Sequence, residues 1–381
     1  MKTFTADVTV IGAGPTGLTL VNLLGNYGLN TILIEKNKVT VQEPRAVSID
    51  DEALRVMQAI GVIQKLEKKI VTNYGSRYYN SKKIMVASVD PKDKPYGFHK
   101  RNAFDQPDLE VLLLENLKKM RSVKLLFGYT VTEITQNKEE VVSVCQTQEG
   151  ETISISSKFL VGCDGASSIT RKLLNIKMLG SSFKERWLIV DVRNTSNKFK
   201  HTEVFCDSKQ PFITLPGPAG IRRYEFKCIN SLASKGLFSD QDIKAILKRV
   251  GQDGNAEIRR SCLYSFQARV ASKWRRGAVF LAGDAAHLSP PFAGQGMNSG
   301  IRDANNLAWK LNLFLRNGRD EHLLSSYENE RKPHCWSLIK MAIFMGRIMA
   351  PKTFLEEFII VTTLRFLNYF KWSRDYIIQM K

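Results

Sequence analysis

Two short apolar runs rich in β-branched residues, 7–11 and 31–34, frame the first thirty-five residues of the chain. Each reads as a buried strand, and the helical composition of 18–24, broken by Gly25-Asn26-Tyr27-Gly28, predicts a helix between them. The pattern is a βαβ unit. Further runs at 123–127, 130–134 and 141–147 predict strands, with Glu149-Gly150 as a hairpin turn, and the alternating stretch 74–89 predicts more. Residues 51–61 predict a helix capped by Asp50 or Asp51 and stopped at Gly61, and a second helix opens at Gln106-Pro107-Asp108. Residues 159–163 form another strand, which runs into Asp164-Gly165.

From Gly180 to about Phe266 the texture changes to short strands (187–192, 203–205, 212–215, 222–228) with one helix at 240–250. This breaks the βαβ rhythm, as a domain covering a substrate would. The rhythm returns with the strand 277–282, the sequence Gly283-Asp284, and a helix reaching Leu311. A basic helix at 323–340 follows, then an apolar helical stretch at 354–376. The expected fold is α/β: a Rossmann-like nucleotide domain (1–72, 99–179, 267–340), an inserted mainly β substrate domain (73–98, 180–266) and C-terminal helices (341–381).

The chemistry sits in the turns. Gly12, Gly14 and Gly17 follow the first strand as GxGxxG, with Pro15 and Thr16 between them. Gly12 permits the turn, Gly14 lets a pyrophosphate approach the backbone, and Gly17 lets the helix pack closely. The helix N-terminus offers free N–H groups to phosphate. Glu35, followed by Lys36, ends the second strand, where a carboxylate accepts from ribose hydroxyls and disfavours a 2′-phosphate; the bound nucleotide is expected to be FAD or NAD. Arg45 could reach a phosphate or a flavin edge, and Gln106 could bond a cofactor or cap its helix. Gly283-Asp284 places a carboxylate near a polyol chain. Gly294, Gly296, Met297 and Asn298, after Pro291, form a loop able to aim backbone N–H groups at a flavin's pyrimidine edge. His287 reads as a loop-packing histidine.

Composition narrows the picture. The 381 residues carry 56 Lys and Arg against 37 Asp and Glu, a net charge of +19. The basic residues are dispersed and no nucleic-acid motif accompanies them, so a solvated surface or a field attracting carboxylates is expected rather than nucleic-acid binding. The six cysteines form no CxxC pair and no zinc spacing. They read as free thiols of a cytoplasmic protein, without a metal centre or a disulfide-reductase motif. No signal-peptide pattern precedes the first strand and no apolar run approaches a bilayer span. The stretch 354–376 is expected to pack against a partner, with weak contact to a membrane surface as the other reading.

Taken together, Gly12-x-Gly14-x-x-Gly17, Asp164-Gly165 and Gly283-Asp284 with its Pro-Pro-x-x-Gly-x-Gly-Met-Asn tail resemble the single-component FAD-dependent aromatic hydroxylases of the p-hydroxybenzoate hydroxylase fold. Pro44-Arg45-Ala46, Phe104-Asp-Gln106-Pro107, Phe205-Cys-Asp207 and Pro216-Gly-Pro-x-Gly-x-Arg-Arg223-x-Glu-Phe226 look like the 3-(3-hydroxyphenyl)propionate and pentachlorophenol hydroxylase branch. The resemblance implies that Gly12, Gly14, Gly17 and Glu35 hold the ADP half of FAD and that Arg45 and Gln106 touch its middle. Asp164 and Gly165 would serve both pyrophosphate and pyridine nucleotide, Asp284 a ribityl hydroxyl, and Pro291 with Gly294 to Asn298 the isoalloxazine.

It further implies reduction by NADPH or NADH, consistent with a lone GxGxxG, and hydroxylation of a phenol by O2 through a flavin C4a-hydroperoxide. A homodimer is compatible with this reading. Arg222, Arg223 or Tyr224 could meet a substrate carboxylate or phenol from the β domain, with a surface or strand-pairing role as the other reading. Many relatives in this branch continue into a further C-terminal domain. A bulky polyketide, antibiotic or quinone precursor is the alternative substrate, and a non-catalytic flavin-binding protein the alternative role.

Overall fold

The computed structural model describes residues 1–229, 238–251, 253–318 and 320–370. Strand β1 (Lys2–Ile11), helix α1 (Pro15–Asn26) and strand β2 (Thr31–Glu35) form the βαβ unit. Leu18, Leu20 and Leu24 of α1 are fully buried, each worth about 1.5–3 kcal/mol of burial. Helix α2 (Asp51–Ile60) begins where Asp50 Oδ1 accepts the Ala53 N–H at 2.9 Å, so Asp50 is the cap, and it ends at Gly61 with φ 89°. Next come the hairpin β3 (Ser76–Asn80) and β4 (Met85–Val89), helix α3 (Gln106–Leu117), and strands β5 (Val123–Phe127), β6 (Thr130–Gln136), β7 (Val141–Gln146) and β8 (Thr152–Gly162).

The middle of the chain supplies β9 (Met178–Arg193), β10 (Thr202–Cys206), β11 (Phe212–Pro216), β12 (Arg222–Lys227), helix α4 (Asp240–Val250) and β13 (Glu257–Ala271). The chain continues through β14 (Val279–Leu281), α5 (Gly296–Asn317), α6 (Glu321–Met349) and α7 (Phe354–Tyr369).

Two eight-stranded sheets organise the molecule. In the first, β14, β8, β1, β2 and β5 lie side by side and parallel, with Arg275–Arg276 beside β14, β7 added antiparallel to β8 and β6 antiparallel to β7. In the second the order is His287–Leu288, β13, β9, β12, β11, β10, β3, β4. The sequence suggests short strands here. Instead β9 and β13 run 16 and 15 residues, and their paired ends, Met178 opposite Ala271, reach the core beneath the first sheet.

Period-two alternation gives the second sheet two distinct faces. Leu188, Val190, Val192, Tyr224 and Phe226 pack on one side against Ile243, Ile246 and Leu247 of α4. Trp187, Ile189, Val204 and Ile213 face the other way, toward Phe292 and the α6–α7 junction. We call these the back and front faces. Helix α6 is longer than its predicted core of 323–340 and carries Pro333 within it. Helix α7 ends at Tyr369 with Phe370 as its extended cap residue, and residues 371–376 of the predicted stretch lie outside the described residues.

Candidate active site at the seam of the two sheets

The glycine turn after β1 is shaped by close approach. A Cβ on Gly12, whose φ is 101°, would lie 2.5 Å from the Cys163 carbonyl oxygen, and one on Gly17 would lie 1.9 Å from the Gly12 carbonyl oxygen. Gly14 differs: nothing stands within 4 Å of where its Cβ would be. The N-terminus of α1 has no side-chain cap, and Pro15 has no N–H to satisfy. Gly14 therefore leaves open space in front of unpaired N–H groups. Thr16 is turned inward, its hydroxyl filling the space that Cβ atoms on Gly283 and Gly300 would need.

Glu35 Oε2 accepts the Ala13 N–H at 2.8 Å, fixing the turn, while Oε1 takes the Asn37 backbone and side-chain N–H groups at 2.9 and 2.7 Å. A carboxylate has about four acceptor positions, so one on Oε2 is left for a ribose hydroxyl. Lys36 points to solvent. Asp164 Oδ2 accepts the Thr170 N–H and hydroxyl at 2.9 and 3.0 Å, but Asp164 Oδ1 is buried and has no partner. Gly165, with φ 77°, has open space beside it. An orphaned carboxylate oxygen next to an open glycine is what a bound polar ligand would complete.

Gln106 reaches across to the chain after β2. Its Oε1 accepts the Arg45 and Ala46 N–H groups at 3.2 and 2.8 Å, and its Nε2 donates to Glu110 at 2.7 Å. Gln106 therefore shapes the Arg45 loop and does not cap α3, and one N–H of its amide is left over. The Arg45 side chain is exposed. Glu110 beneath is fully buried; burial pushes its carboxyl up to about 7, with the Gln106 hydrogen bond pulling the other way.

The Asp284 side chain is open to solvent at the turn after β14. Burial raises its pKa against the opposing charges of His287 and Arg45. Gly296 has open space beside it, whereas a Cβ on Gly294, with φ 63°, would touch Ser48 at 3.4 Å. Asn298 is buried and accepts from the Asp50 N–H at 3.2 Å while donating to the Ser48 and Gly294 carbonyls at 3.2 and 2.8 Å. It ties the loop to the start of α2. Met297 leans on the main core, and Pro291 is exposed beside Phe292, whose ring lies 5.3 Å from both Trp187 and Phe266. The structure thus joins the three sequence motifs to an aromatic wall on the front face.

Two expected substrate residues are not there. Arg222 is buried on the back face, donating to Thr214 Oγ1 at 2.7 Å, the Phe199 carbonyl at 2.7 Å and Glu203 at 3.1 Å. Tyr224 is on the same back face and donates to Asp253 at 2.8 Å. The roles given to Arg222 and Tyr224 are corrected on this ground: one residue's shift along a strand changes the face, and both are saturated by protein.

Arg223, between them, faces the front. It pairs with buried Asp191 at 2.6 and 2.8 Å and donates to the Arg45 and Pro44 carbonyls at 2.7 and 2.8 Å. Together with Arg260, which also donates to the Pro44 carbonyl and pairs with Glu43 at 3.3 Å, this guanidinium fastens the Arg45 loop to the second sheet.

Other contributors are not marked by any motif. Arg171 donates to the Ala285 and Ala166 carbonyls at 2.9 and 2.7 Å, bridging the Asp164-Gly165 and Gly283-Asp284 turns. Asp303, fully buried, accepts the Gly283 N–H at 3.0 Å, meets His287 Nε2 at 2.7 Å and takes Arg331 Nε at 2.9 Å. Burial alone would depress His287, but Cys335 and Asp303 outweigh it and raise its pKa well above 6.5. Burial likewise opposes ionised Asp303, and His287 with Arg331 overcomes it, leaving its pKa low. His287, Asp303 and Cys335 stand within 4.8 Å of one another, but Arg331 already holds the carboxylate. A buried charge at position 303 within the apolar stripe of α5 was the available sequence signal.

A family model described as an FAD binding domain matches residues 5–342. A 3-(3-hydroxyphenyl)propionate/3-hydroxycinnamic acid hydroxylase of Comamonas testosteroni is 34% identical over 99% of this chain and 64% of its own length. Its counterpart from Escherichia coli O139:H28 (strain E24377A / ETEC) is 33% identical over 98% and 68%. The chain therefore spans about two thirds of these relatives. The crystal structure of p-nitrophenol 4-monooxygenase PnpA from Pseudomonas putida DLL-E4 superposes with a TM-score of 0.88 at 21% identity, covering all of this chain and 98% of that one, a likeness of fold. The chain belongs to the FAD-binding family of aromatic hydroxylases, in the branch that holds the 3-(3-hydroxyphenyl)propionate hydroxylases.

Proposed function

We infer that this chain carries the FAD and substrate sites of a monooxygenase that uses NADPH or NADH and O2 to hydroxylate a small phenol. The observation that carries the reading is the junction itself. The open glycine turns, the orphaned Asp164 oxygen and the accessible Asp284 converge on a loop that borders the aromatic wall of Trp187, Phe266 and Phe292. Bound there, FAD would supply reduction by NAD(P)H and the activation of O2.

The chain's own residues would do the rest. The N–H groups behind Gly14, with Gly12, Pro15, Thr16 and Gly17 shaping the turn, would receive the pyrophosphate. Glu35 would receive the ribose, with Lys36 at its edge. Arg45, held by Gln106, would approach the phosphates, Asp164 and Gly165 the pyrophosphate side, and Asp284 beyond Gly283 a ribityl hydroxyl. Pro291, Gly294, Gly296, Met297 and Asn298 would frame the ring system and present N–H groups where negative charge develops. The aromatic wall would exclude water and stack on the substrate ring.

The test is NADPH and NADH oxidation by the FAD-loaded protein against hydroxybenzoates, hydroxyphenylpropionates and nitrophenols, with products weighed by mass spectrometry. A phenol that both accelerates oxidation and gains one oxygen is the expected result. Flavin bound without acceleration by any phenol would refute the reading in favour of a bulkier substrate or a binding role.

A further inference from the structure

Glu225 lies on the front face of β12, two residues from Arg223 and opposite Ile189 of β9 and Ile213 of β11. Two residues along a strand is about 7 Å, so Glu225 stands one step from the guanidinium that holds the Arg45 loop. It is only 6% exposed. Unlike Arg222, Arg223 and Tyr224 beside it, it has no hydrogen bond or ion pair among the described residues. Trp187, diagonal to it across the β9–β12 ladder, is the first residue of the aromatic wall beside Phe292 and Pro291. Its carboxyl oxygens are not sealed within protein, and they face the side where the candidate flavin loop lies, open to a ligand.

We propose that Glu225 receives the hydroxyl of the phenolic substrate and acts as the general base that takes its proton. The inference rests on the phenol reading above. In this step the phenol O–H bond breaks and a Glu225 Oε–H bond forms. The electron pair stays on the phenol oxygen and enriches the ring carbon that is to be oxygenated, and the carboxyl later returns its proton to water.

Burial pushes the Glu225 carboxyl up to about 7; Arg223 opposes the shift and Asp191 adds to it. That lies near the optimum for a base working at neutral pH. The charged and titratable groups around it are Arg223 and Lys227 on its own strand, Asp191 on β9, and Arg260 and Cys262 on β13, while β11 opposes it with Ile213.

The experiment compares the FAD-loaded wild type with Glu225→Gln. Binding of 3-(3-hydroxyphenyl)propionate and of its O-methyl ether, which lacks the donor, is measured by flavin fluorescence across neutral pH. The wild type should prefer the phenol by at least about tenfold above pH 7, where the carboxyl is ionised, and lose that preference at lower pH. Glu225→Gln should bind both alike at every pH and lose roughly 100-fold or more in hydroxylation. A merely structural role would weaken phenol and ether together.

If Glu225→Gln keeps the preference and its pH dependence, the proposal is overturned and the phenol reading stands. If the FAD-loaded wild type binds neither ligand, the same comparison is made with the hydroxybenzoate and the nitrophenol of the panel and their methyl ethers; if no phenol binds, both readings fall. Should Glu225→Gln fail to take up FAD, Glu225→Asp decides: part of the preference must survive with the charge, and its complete loss with FAD bound refutes the assignment.

Discussion

At the scale of single residues, the three glycines of the first turn answer to different neighbours. Gly17→Ala puts a methyl 1.9 Å from a carbonyl oxygen, so α1 must move off the sheet. We expect a loss of several degrees in Tm and of FAD binding together. Gly14→Ala meets only open space, so the apo protein should melt within about 1 °C of wild type while the FAD Kd rises by tenfold or more. Calorimetry and flavin titration of the two variants separate the roles.

Glu110 gives a pH prediction. Its folded pKa is raised from 4.5 to about 7, so the folded state holds the proton more tightly than the unfolded. The stability it contributes is complete below pH 4.5 and is lost as pH rises through 7, by about 3 kcal/mol. Denaturant titrations of Glu110→Gln should show a flatter stability profile over that window. The glycines and acids of the motifs were legible because their chemistry is local. The bridging roles of Arg223, Arg171 and Asp303 were not, since each depends on a partner in a distant segment, Arg45 at 178 residues, Ala285 at 114 and His287 at 16, and no spacing encodes such pairings.

At the scale of elements, the βαβ unit, the Asp50 cap, α4 and the hairpin strands follow directly from apolar periodicity and capping residues. The long strands β9 and β13 do not. The part of β9 outside the predicted 187–192, residues 179–186, is mostly polar and exposed, and what keeps it extended is its ladder with β13, a tertiary gain that local pattern does not register. The face error at Arg222 and Tyr224 is of the same kind. An alternating strand announces two faces, and which one meets the site is decided by the neighbouring sheet.

Helix α7 is apolar without being buried, with Phe354, Phe358 and Phe366 each at least 60% exposed. No helix among the described residues is long and apolar enough to cross a membrane. Replacing Phe358 and Phe366 together by Glu should alter the Tm little, because neither side chain contributes to a core, but should reduce self-association or vesicle retention measured by sedimentation. Unchanged sedimentation would mean that this face has no partner of either kind.

At the scale of the whole molecule, the two sheets meet through few but well-connected groups. Arg223→Met should cost about 3–5 kcal/mol by stranding buried Asp191 and should free the Pro44–Arg45 segment to limited proteolysis. Adding Asp191→Leu should restore most of the stability but not the FAD affinity, because the Arg45 carbonyl would still lack its anchor and the Pro44 carbonyl would keep only Arg260. Denaturation and FAD titration of the single and double variants check both halves.

The tether also sets an order of assembly. The Pro44 carbonyl is gripped by Arg223 and Arg260, which lie 179 and 216 residues further along the chain. On the ribosome the N-terminal unit can form early, with Gln106 holding the Arg45 and Ala46 N–H groups, but the Pro44 and Arg45 carbonyls stay unanchored until the second sheet has emerged and closed. Firm cofactor retention is then a late event in biogenesis, and a yellow colour in a nascent or truncated product reports that the distal half has already folded.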